Sequence, residues 1–376
     1  MDSASPDLAR YHRQTLLPQI GAAGQRRLAE SHAMIIGLGA LGCPAADLLA
    51  RAGVGRLTLI DRDIVEETNL QRQTLFDAAD AAARSPKADA AARRLGRINP
   101  TTIIHAIADD FVAEDAQRVL APHPRPGVVL DCTDNFEARY LINDVCVKLG
   151  IPLIYAGAIG VSAMSMSILP ARGPCLRCIF PDPPTADLGT CDTVGIFAPA
   201  SAMIASWQAG EAIKVLCGRE DLLSQSLLSI DAMAARTQHV DLAGARREDC
   251  PCCALRHFDF LDPPREAPGT GSPRAGTRSR VLCGKNAVQI AGLTEIHLES
   301  LLVRLNGVGR FELAGQTVSG SIDRTADAHE KNLADSRSEA DPACIQLTVF
   351  ADGRAIIGGT TDVAVARSLY ARYIGG

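Results

Sequence analysis

The apolar residues of this chain gather in short runs that alternate with longer amphipathic stretches, most regularly in the first half. "AMIIGLGALG" predicts a buried strand running into a glycine loop, and "CPAADLLARAG" the helix that follows. "RLTLID" predicts the next strand. "PKADAAARRLGRIN" has helical spacing with Pro86 in its first turn, where a missing N–H has no intrahelical partner to lose. "TTIIHAIAD" and "GVVLDCTDN" read as strands, the second ending in a loop that opens the helix "FEARYLINDVCVKLG". "IPLIYAG" and "SMSILP" continue the sheet. Strands alternating with helices predict an α/β protein with a doubly wound, mostly parallel sheet, whose ligands lie at the carboxyl ends of the strands.

After Phe260 the pattern dissolves. "LDPPREAPGTGSPRAGTRSR" is dense in Pro, Gly, Ser and Arg and predicts a linker over 263–280. It separates a domain of residues 1–262 from a smaller C-terminal α+β domain of residues 281–376. That domain is expected to run βα, then strands, then a closing helix in "DVAVARSLYARYIGG", with "RTADAHEKNLADSRSEADP" as a polar loop. Apolar residues make up 47% of the chain and charged residues 22%, an ordinary globular balance. The net charge of −5 gives no electrostatic case for nucleic acid. "MDSASPDLAR" is too polar and acidic for a signal peptide, and the most apolar window, Ala33–Ala50, carries glycines and Asp47. A cytoplasmic protein without nucleic-acid or membrane partners is expected.

Gly37, Gly39 and Gly42 form G-x-G-x-x-G between a predicted strand and helix, and Asp61 follows at the spacing of a ribose-binding acid. The glycines let backbone approach a nucleotide, and the helix N-terminus favours negative charge. At this point both an NAD and an ATP reading remain open. The polar run "DIVEETNLQRQ" changes the balance, because hydride transfer at a nicotinamide needs no extra cations around the phosphates, whereas attack on a phosphate does. Arg72 offers bidentate contacts to phosphate oxygens, and Asn69 and Gln71 can orient neighbouring ones. Lys87, opening a predicted helix, adds a positive charge, and Asp134 in "DCTDN" is an oxygen ligand suited to Mg²⁺. Singly, Arg72 and Lys87 also fit solvated surface charges, and Asp134 with Asn135 a helix cap. Gathered at strand ends, they read as a site.

The chain holds 12 cysteines, and a reducing cytosol disfavours structural disulfides. Cys175 and Cys178 form one C-x-x-C and Cys250 and Cys253 another, together a ligand set for one tetrahedral Zn²⁺. Four thiolates leave no open position, so such a metal is structural, and Cys252 between the ligands is expected to point away. A redox pair is the alternative, without a thioredoxin-like context to support it. Cys43, Cys132, Cys146, Cys217 and Cys344 sit in apolar or helical surroundings and are expected to be buried, inert thiols.

"YHRQTLLPQIG", "GLGALGCPAA", "LIDRDIVEETNLQRQTL", "PKADAA", "DCTDN", "PCLRC", "CDTVGIFAP" and "CPCC" occur in the order found in the ThiF/MoeB/HesA family. From Tyr11 to Cys253 the chain resembles these enzymes, which adenylate sulfur-carrier proteins and are related to the ubiquitin-activating enzymes. The resemblance implies a Rossmann-like fold, ATP and Mg²⁺, bound zinc and a homodimer. It implies that Asp61, with Asp63 in the same stretch, holds the ribose side of the nucleotide, while Ala40 and the surrounding glycines line the nucleotide loop. Asn69, Gln71, Arg72 and Lys87 would contact phosphates, Asp134 would hold Mg²⁺ with Asn135 beside it, and Arg13 would be supplied across the dimer interface. Cys191, between Pro181 and Pro199, is the candidate nucleophile for a covalent link to the carrier, reactive only if its surroundings lower its pKa. One departure stands out: "FDAADAAARSPK" is a residue longer than usual before the lysine and lacks the common glycine.

The expected reaction is ATP-dependent adenylylation of the C-terminal Gly-Gly carboxylate of a ThiS- or MoaD-like carrier, with a separate sulfur-donor protein downstream. Rival readings are a non-catalytic carrier-binding scaffold, the tRNA threonylcarbamoyladenosine dehydratase branch of the same family, and an NAD-dependent oxidoreductase. Sulfurtransferase domains often follow this core, but the C-terminal stretch has no C-x-x-G-x-x-R loop, and Cys283 in "VLCGKNAVQI" reads as structural. The chain's own Gly375–Gly376 end reads as a fraying helix rather than a carrier tail.

Overall fold

The computed structural model describes residues 9–120, 124–183, 194–262, 278–282, 286–291, 295–315, 317–323 and 344–374. Contacts divide the chain into two compact units: Met1–Ala81 with Pro86–Arg265, and Ala82–Ser85 with Glu266–Gly376.

The larger unit is built on one sheet. After α1 (His12–Thr15) and α2 (Gly21–Glu30) come β1 (His32–Ile36), α3 (Gly42–Ala52), β2 (Arg56–Ile60), α4 (Ala78–Ala82) and α5 (Lys87–Ile98). Then follow β3 (Ile103–Ile107), α6 (Ala113–Leu120), β4 (Val128–Asp131), α7 (Phe136–Leu149), β5 (Leu153–Ile159), β6 (Ser162–Ile168) and α8 (Leu176–Ile179). The long α9 (Ala198–Leu216) leads into β7 (Ser226–Asp231) and β8 (Arg236–Asp241). The order across the 8-stranded sheet is β3-β2-β1-β4-β5-β6-β7-β8. From β3 to β5 every pairing is parallel, and from β5 onward every pairing is antiparallel. "SMSILP" therefore continues the sheet by doubling back.

β1 and β4 are buried along their whole length, as central parallel strands must be when helices cover both faces. The period of two along β1 sorts its side chains. Ala33 and Ile35 join a core with Leu49, Leu95, Ile204 and Ala209, whereas Met34 and Ile36 join one with Leu120, Tyr140, Ile142 and Val145. The strand order reverses between β1 and β4, where the crevice for a ligand opens in such sheets.

In the smaller unit β9 (Arg278–Leu282), β10 (Ala287–Ala291), α10 (Leu298–Leu305), β11 (Arg310–Ala314), β12 (Thr317–Asp323), β13 (Cys344–Phe350), β14 (Ala355–Gly358) and α11 (Val363–Tyr373) follow in sequence. They make a 6-stranded antiparallel sheet of order β11-β12-β13-β14-β10-β9. Two strands, rather than the expected one, precede the first helix. Leu301, Leu305, Ala366 and Tyr370 from the two helices share one core with Val288, Ile290, Val318, Leu347 and Ile357. The polar loop expected over 324–342 lies outside the described residues, as do Cys283 and the terminal glycines. No helix among the described residues is long and apolar enough to cross a membrane.

Candidate nucleotide site and cysteine cluster

The glycine loop leaves β1 at Gly37, whose φ of +91° is a left-handed conformation that disfavours any side chain, and whose N–H donates to the Ile60 carbonyl at 2.8 Å. A Cβ on Gly37 would meet the Cys132 carbonyl oxygen at 2.6 Å, and one on Gly42 would run into the Gly37 carbonyl. Those two glycines serve close packing at the start of α3. Gly39 differs: a Cβ there would find only Nε2 of Gln73, 3.9 Å away. The open side of the loop lies at Gly39, with Ala40 partly exposed beside it. Asp61, just past β2, fastens the loop: its Oδ2 accepts from Leu38 N at 2.6 Å and its Oδ1 from Asp63 N at 2.8 Å. Burial raises the Asp61 carboxyl above its ordinary value; Lys87 opposes that rise and Asp63 reinforces it.

The polar run then folds on apolar anchors. Val65, Leu75 and Phe76 are buried in the core with Leu70 packed against it, which leaves Glu67, Thr68, Gln71 and Thr74 exposed while Asn69 and Gln73 stay buried. A short 3₁₀ turn, Glu67–Asn69, is closed by reciprocal capping between Glu66 and Asn69, whose Oδ1 accepts from Glu66 N at 3.0 Å. Gln71 is exposed and Arg72 half-buried, with Nη1 donating to the Thr68 carbonyl at 2.9 Å.

Lys87 opens α5 and is tied back to Asp63 twice: its backbone N donates to Asp63 O at 2.9 Å, and Nζ pairs with Asp63 Oδ2 at 3.1 Å. Burial alone would lower its pKa, but Asp63, Asp61 and Asp134 outweigh burial and hold it above the ordinary lysine value. The longer, glycine-free segment before it places Arg84 at φ +45° and still delivers the lysine to Asp63. Asp134, exposed beyond β4, is close enough to be felt by Lys87, Arg62 and Arg139. Asn135 caps α7 with Oδ1 accepting from Ala138 N at 2.8 Å. The structure thus brings Gly39, Asp61, Asp63, Lys87 and Asp134 to the carboxyl ends of β1, β2 and β4. Arg13 lies apart on α1, exposed beside Leu16 and Leu17, and Cys191 lies outside the described residues.

Sequence reasoning passed over the groups that hold this floor rigid. Asp131 ends β4 fully buried, and burial raises its carboxyl although Arg139 and Thr133 oppose the shift. Thr133 Oγ1 donates to Asp131 Oδ1 at 2.6 Å, and Arg139 Nη2 donates to the Thr133 carbonyl at 2.9 Å. The Arg139 guanidinium lies between the Phe136 and Tyr155 rings, 5.2 and 5.1 Å from their centroids. An arginine this near a helix N-terminus opposes the dipole, which was the available signal. Gln208 on α9 donates through Nε2 to the carbonyls of Asp131 and Ile154, both at 2.8 Å, and accepts from Cys132 Sγ at 3.3 Å. Nothing in the helix's spacing marks it.

The two C-x-x-C pairs converge. Their four sulfurs, all on buried residues, lie within 4.8 Å of one another, with Cys175–Cys250 at 3.6 Å and Cys178–Cys253 at 3.4 Å. A Zn–S bond of about 2.3 Å puts tetrahedral sulfurs about 3.8 Å apart, so the cluster fits one such ion and is too open for disulfides. Two of these thiols resist ionising. Cys178 is pushed up to about 12 by the Cys175 hydrogen bond and burial, and Cys253 up to about 11 by burial and the Cys178 thiol. A dication among them would supply the charge that favours thiolates. Cys252 is not one of the four, yet it does not point away as expected: its thiol hydrogen-bonds with Cys175 and accepts from Asn143 Nδ2 at 3.3 Å, while Asn143 Oδ1 accepts from Leu176 N at 2.9 Å. Of the remaining cysteines, Cys43, Cys132, Cys146 and Cys217 are buried and burial raises each thiol, Cys43 up to about 12.

Comparison with known proteins agrees with this geometry. The chain is 37% identical over 368 residues, 97% of its length and 99% of the relative's, to the Sulfur carrier protein ThiS adenylyltransferase of Bacillus subtilis (strain 168). It is 39% identical over 254 residues, 66% of its length and 91% of the relative's, to the Sulfur carrier protein adenylyltransferase of Thermus thermophilus. It spans about half the length, 54%, of Adenylyltransferase and sulfurtransferase MOCS3 from Sus scrofa, at 39% identity over 251 residues and 66% of this chain. Among solved structures, E. coli MccB with AMPCPP and MccA shares the fold, with a TM-score of 0.58 at 24% identity over 67% of this chain and 75% of that one. Residues 11–252 match the ThiF family, and the chain belongs to it.

Proposed function

We propose that this chain is an ATP-dependent adenylyltransferase acting on the C-terminal Gly-Gly carboxylate of a ThiS- or MoaD-like ubiquitin-fold sulfur carrier. The observation that carries the reading is the gathering of Lys87, Asp63, Asp61 and Asp134 at the ends of the parallel strands, beside the glycine loop that Asp61 fastens. A carrier carboxylate oxygen attacks the α-phosphorus of ATP, and the bond from that phosphorus to the oxygen bridging to the β-phosphate breaks. The products are a carrier acyl-adenylate and pyrophosphate. Negative charge approaches negative charge, so the main service the protein can render is electrostatic. Asp61 and Asp63 take the ribose side, with Gly37, Gly39, Ala40 and Gly42 giving the nucleotide access to backbone. Asn69, Gln71, Arg72 and Lys87 bind phosphate oxygens; the carboxamide oxygens of Asn69 and Asn135 are already engaged in caps. Asp134 is the oxygen donor for Mg²⁺, which when bound neutralises phosphate charge.

In this reading Cys175, Cys178, Cys250 and Cys253 hold a structural Zn²⁺. The enzyme is a cytoplasmic homodimer in which Arg13 of one protomer reaches its partner's phosphates, consistent with its exposure beside Leu16 and Leu17. Cys191 is the thiol for a covalent link to the carrier, and a separate donor protein supplies sulfur to the acyl-adenylate. Carrier-dependent exchange of labelled pyrophosphate into ATP tests the assignment. Exchange that appears only with a Gly-Gly carrier supports it, and none with folded, zinc-loaded protein refutes it.

A further inference from the structure

Gln73 is a polar residue the adenylyltransferase reading does not use, and its surroundings do not explain it. It follows Arg72 on the anchored run, its backbone N donating to the Asn69 carbonyl at 3.0 Å. The side chain is 3% exposed, and its Oε1 has no hydrogen-bond partner among the described residues. A buried acceptor left unmet weakens a fold, and an apolar side chain of the same length would avoid the penalty. The carboxamide is therefore a burden on stability where it stands. Its direction suggests a use: Nε2 is the atom nearest the open side of Gly39, the point where the loop leaves room for a ligand. Gly39 itself lies just before α3, at whose start backbone N–H groups and the helix dipole favour an anion.

We propose that Gln73 is a nucleotide-binding residue whose Nε2 donates to a phosphoryl oxygen of the ATP lying over Gly39. The proposal rests on the ATP-dependent reading above and deepens it by assigning a neutral contact among the cationic ones. A carboxamide there carries no charge to offset the phosphates, so it orients the chain of phosphates without tightening product binding as a further lysine would. Retaining it at a cost to the fold is the trade expected of a functional residue.

The test measures ATP and adenosine affinity by calorimetry, together with thermal unfolding, on the full chain carrying Gln73→Met or Gln73→Glu. Gln73→Met should unfold at or above the parent's temperature and bind ATP about tenfold more weakly, about 1.4 kcal/mol, with adenosine unchanged. Gln73→Glu, which sets an anion where the donor stood, should weaken ATP further still. ATP affinity within twofold of the parent in Gln73→Met, or equal losses for ATP and adenosine, would overturn the assignment. If the parent binds ATP and shows carrier-dependent exchange while Gln73→Met matches it, only the role of Gln73 falls. If the parent binds no ATP, the adenylyltransferase reading falls and this one with it.

Discussion

The nucleotide end of the sheet and the cysteine cluster both depend on groups brought from distant parts of the chain, yet they are finished in opposite ways. At the nucleotide end, the Asp61 carboxyl and the Asn135 amide hold backbone N–H groups, and Lys87 pairs with Asp63 beside a glycine loop that leaves room at Gly39. At the cluster, the four thiols turn inward on one another, and Asn143 ties both cysteine segments to α7. An open site keeps its charges half-satisfied so that a ligand can complete them; a closed one uses every ligand for cohesion. Substitutions should therefore separate function from stability by region.

The largest effect is expected at the cluster. A structural zinc contributes on the order of 10 kcal/mol to folding, so if the four cysteines hold the proposed zinc, Cys250→Ser should lose it and unfold far below the parent. Elemental analysis and calorimetry check this, and an unchanged unfolding temperature would break the contrast.

Lys87→Met comes next, because removing one partner of a buried ion pair costs about 3–5 kcal/mol. Its pH dependence carries the sharper information. Lys87 is held above its ordinary value, so its contribution is complete below the unfolded value of about 10.4 and is lost only as pH rises through the higher folded one. Asp61 has a raised carboxyl, so its contribution falls as pH rises from the ordinary 3.8 through the folded value, and Lys87 limits that rise. The deficit of Lys87→Met should accordingly shrink as pH falls from neutral toward the carboxylate range, as read by unfolding temperatures at several pH values. A constant deficit would mean that lysine and carboxylate are not coupled.

Arg72→Ala and Asp134→Ala should reverse the pattern. Each is expected to lower carrier-dependent pyrophosphate exchange about 10²–10³-fold, the usual loss for a group aimed at developing charge. Asp134 is exposed and Arg72 half-buried with Nη1 bonded to the Thr68 carbonyl, so unfolding temperatures should fall little. Exchange at the parent's rate in both variants would remove the chemical basis of the assignment.

The smallest contrast is between two glycines of one motif. Gly42→Ala drives a methyl into the Gly37 carbonyl and should destabilise the fold by about 1–3 kcal/mol. Gly39→Ala has room and should leave unfolding unaltered while weakening ATP, measured by calorimetry.

Much of this was legible because the motifs are local. "GLGALG" needs its glycines for steric reasons that spacing reveals, and the C-x-x-C pairs announce a tetrahedral set without any fold. The parallel half of the sheet was equally readable, since each strand there is a compact apolar run followed by a helix. The rest was hidden by the absence of pattern. α9 buries one face, which includes Ser201, Gln208 and Glu211, while Met203, Trp207 and Ile213 stand on the other, so polarity in the string does not mark which face is inside. Glu211 is buried with Lys214 paired to its carboxylate, and Ser167 Oγ and Ser224 N donate to it at 3.0 and 2.9 Å. β8 is exposed at all six positions and shows no alternation. Gln73 and Gln71 are chemically identical in the string; only the packing of Leu70, Leu75 and Phe76 decides that one is buried and the other is not.

Gln208 has a consequence for how such a chain can diverge. Its single carboxamide spans the backbones of two adjacent strands at the floor of the site and also receives the Cys132 thiol. Aliphatic residues around it can be exchanged for one another at little penalty, but sliding α9 by one turn would strand two carbonyls at once. Descendants of this sequence should drift freely in apolar composition while that helix stays locked in register, like a keyed shaft.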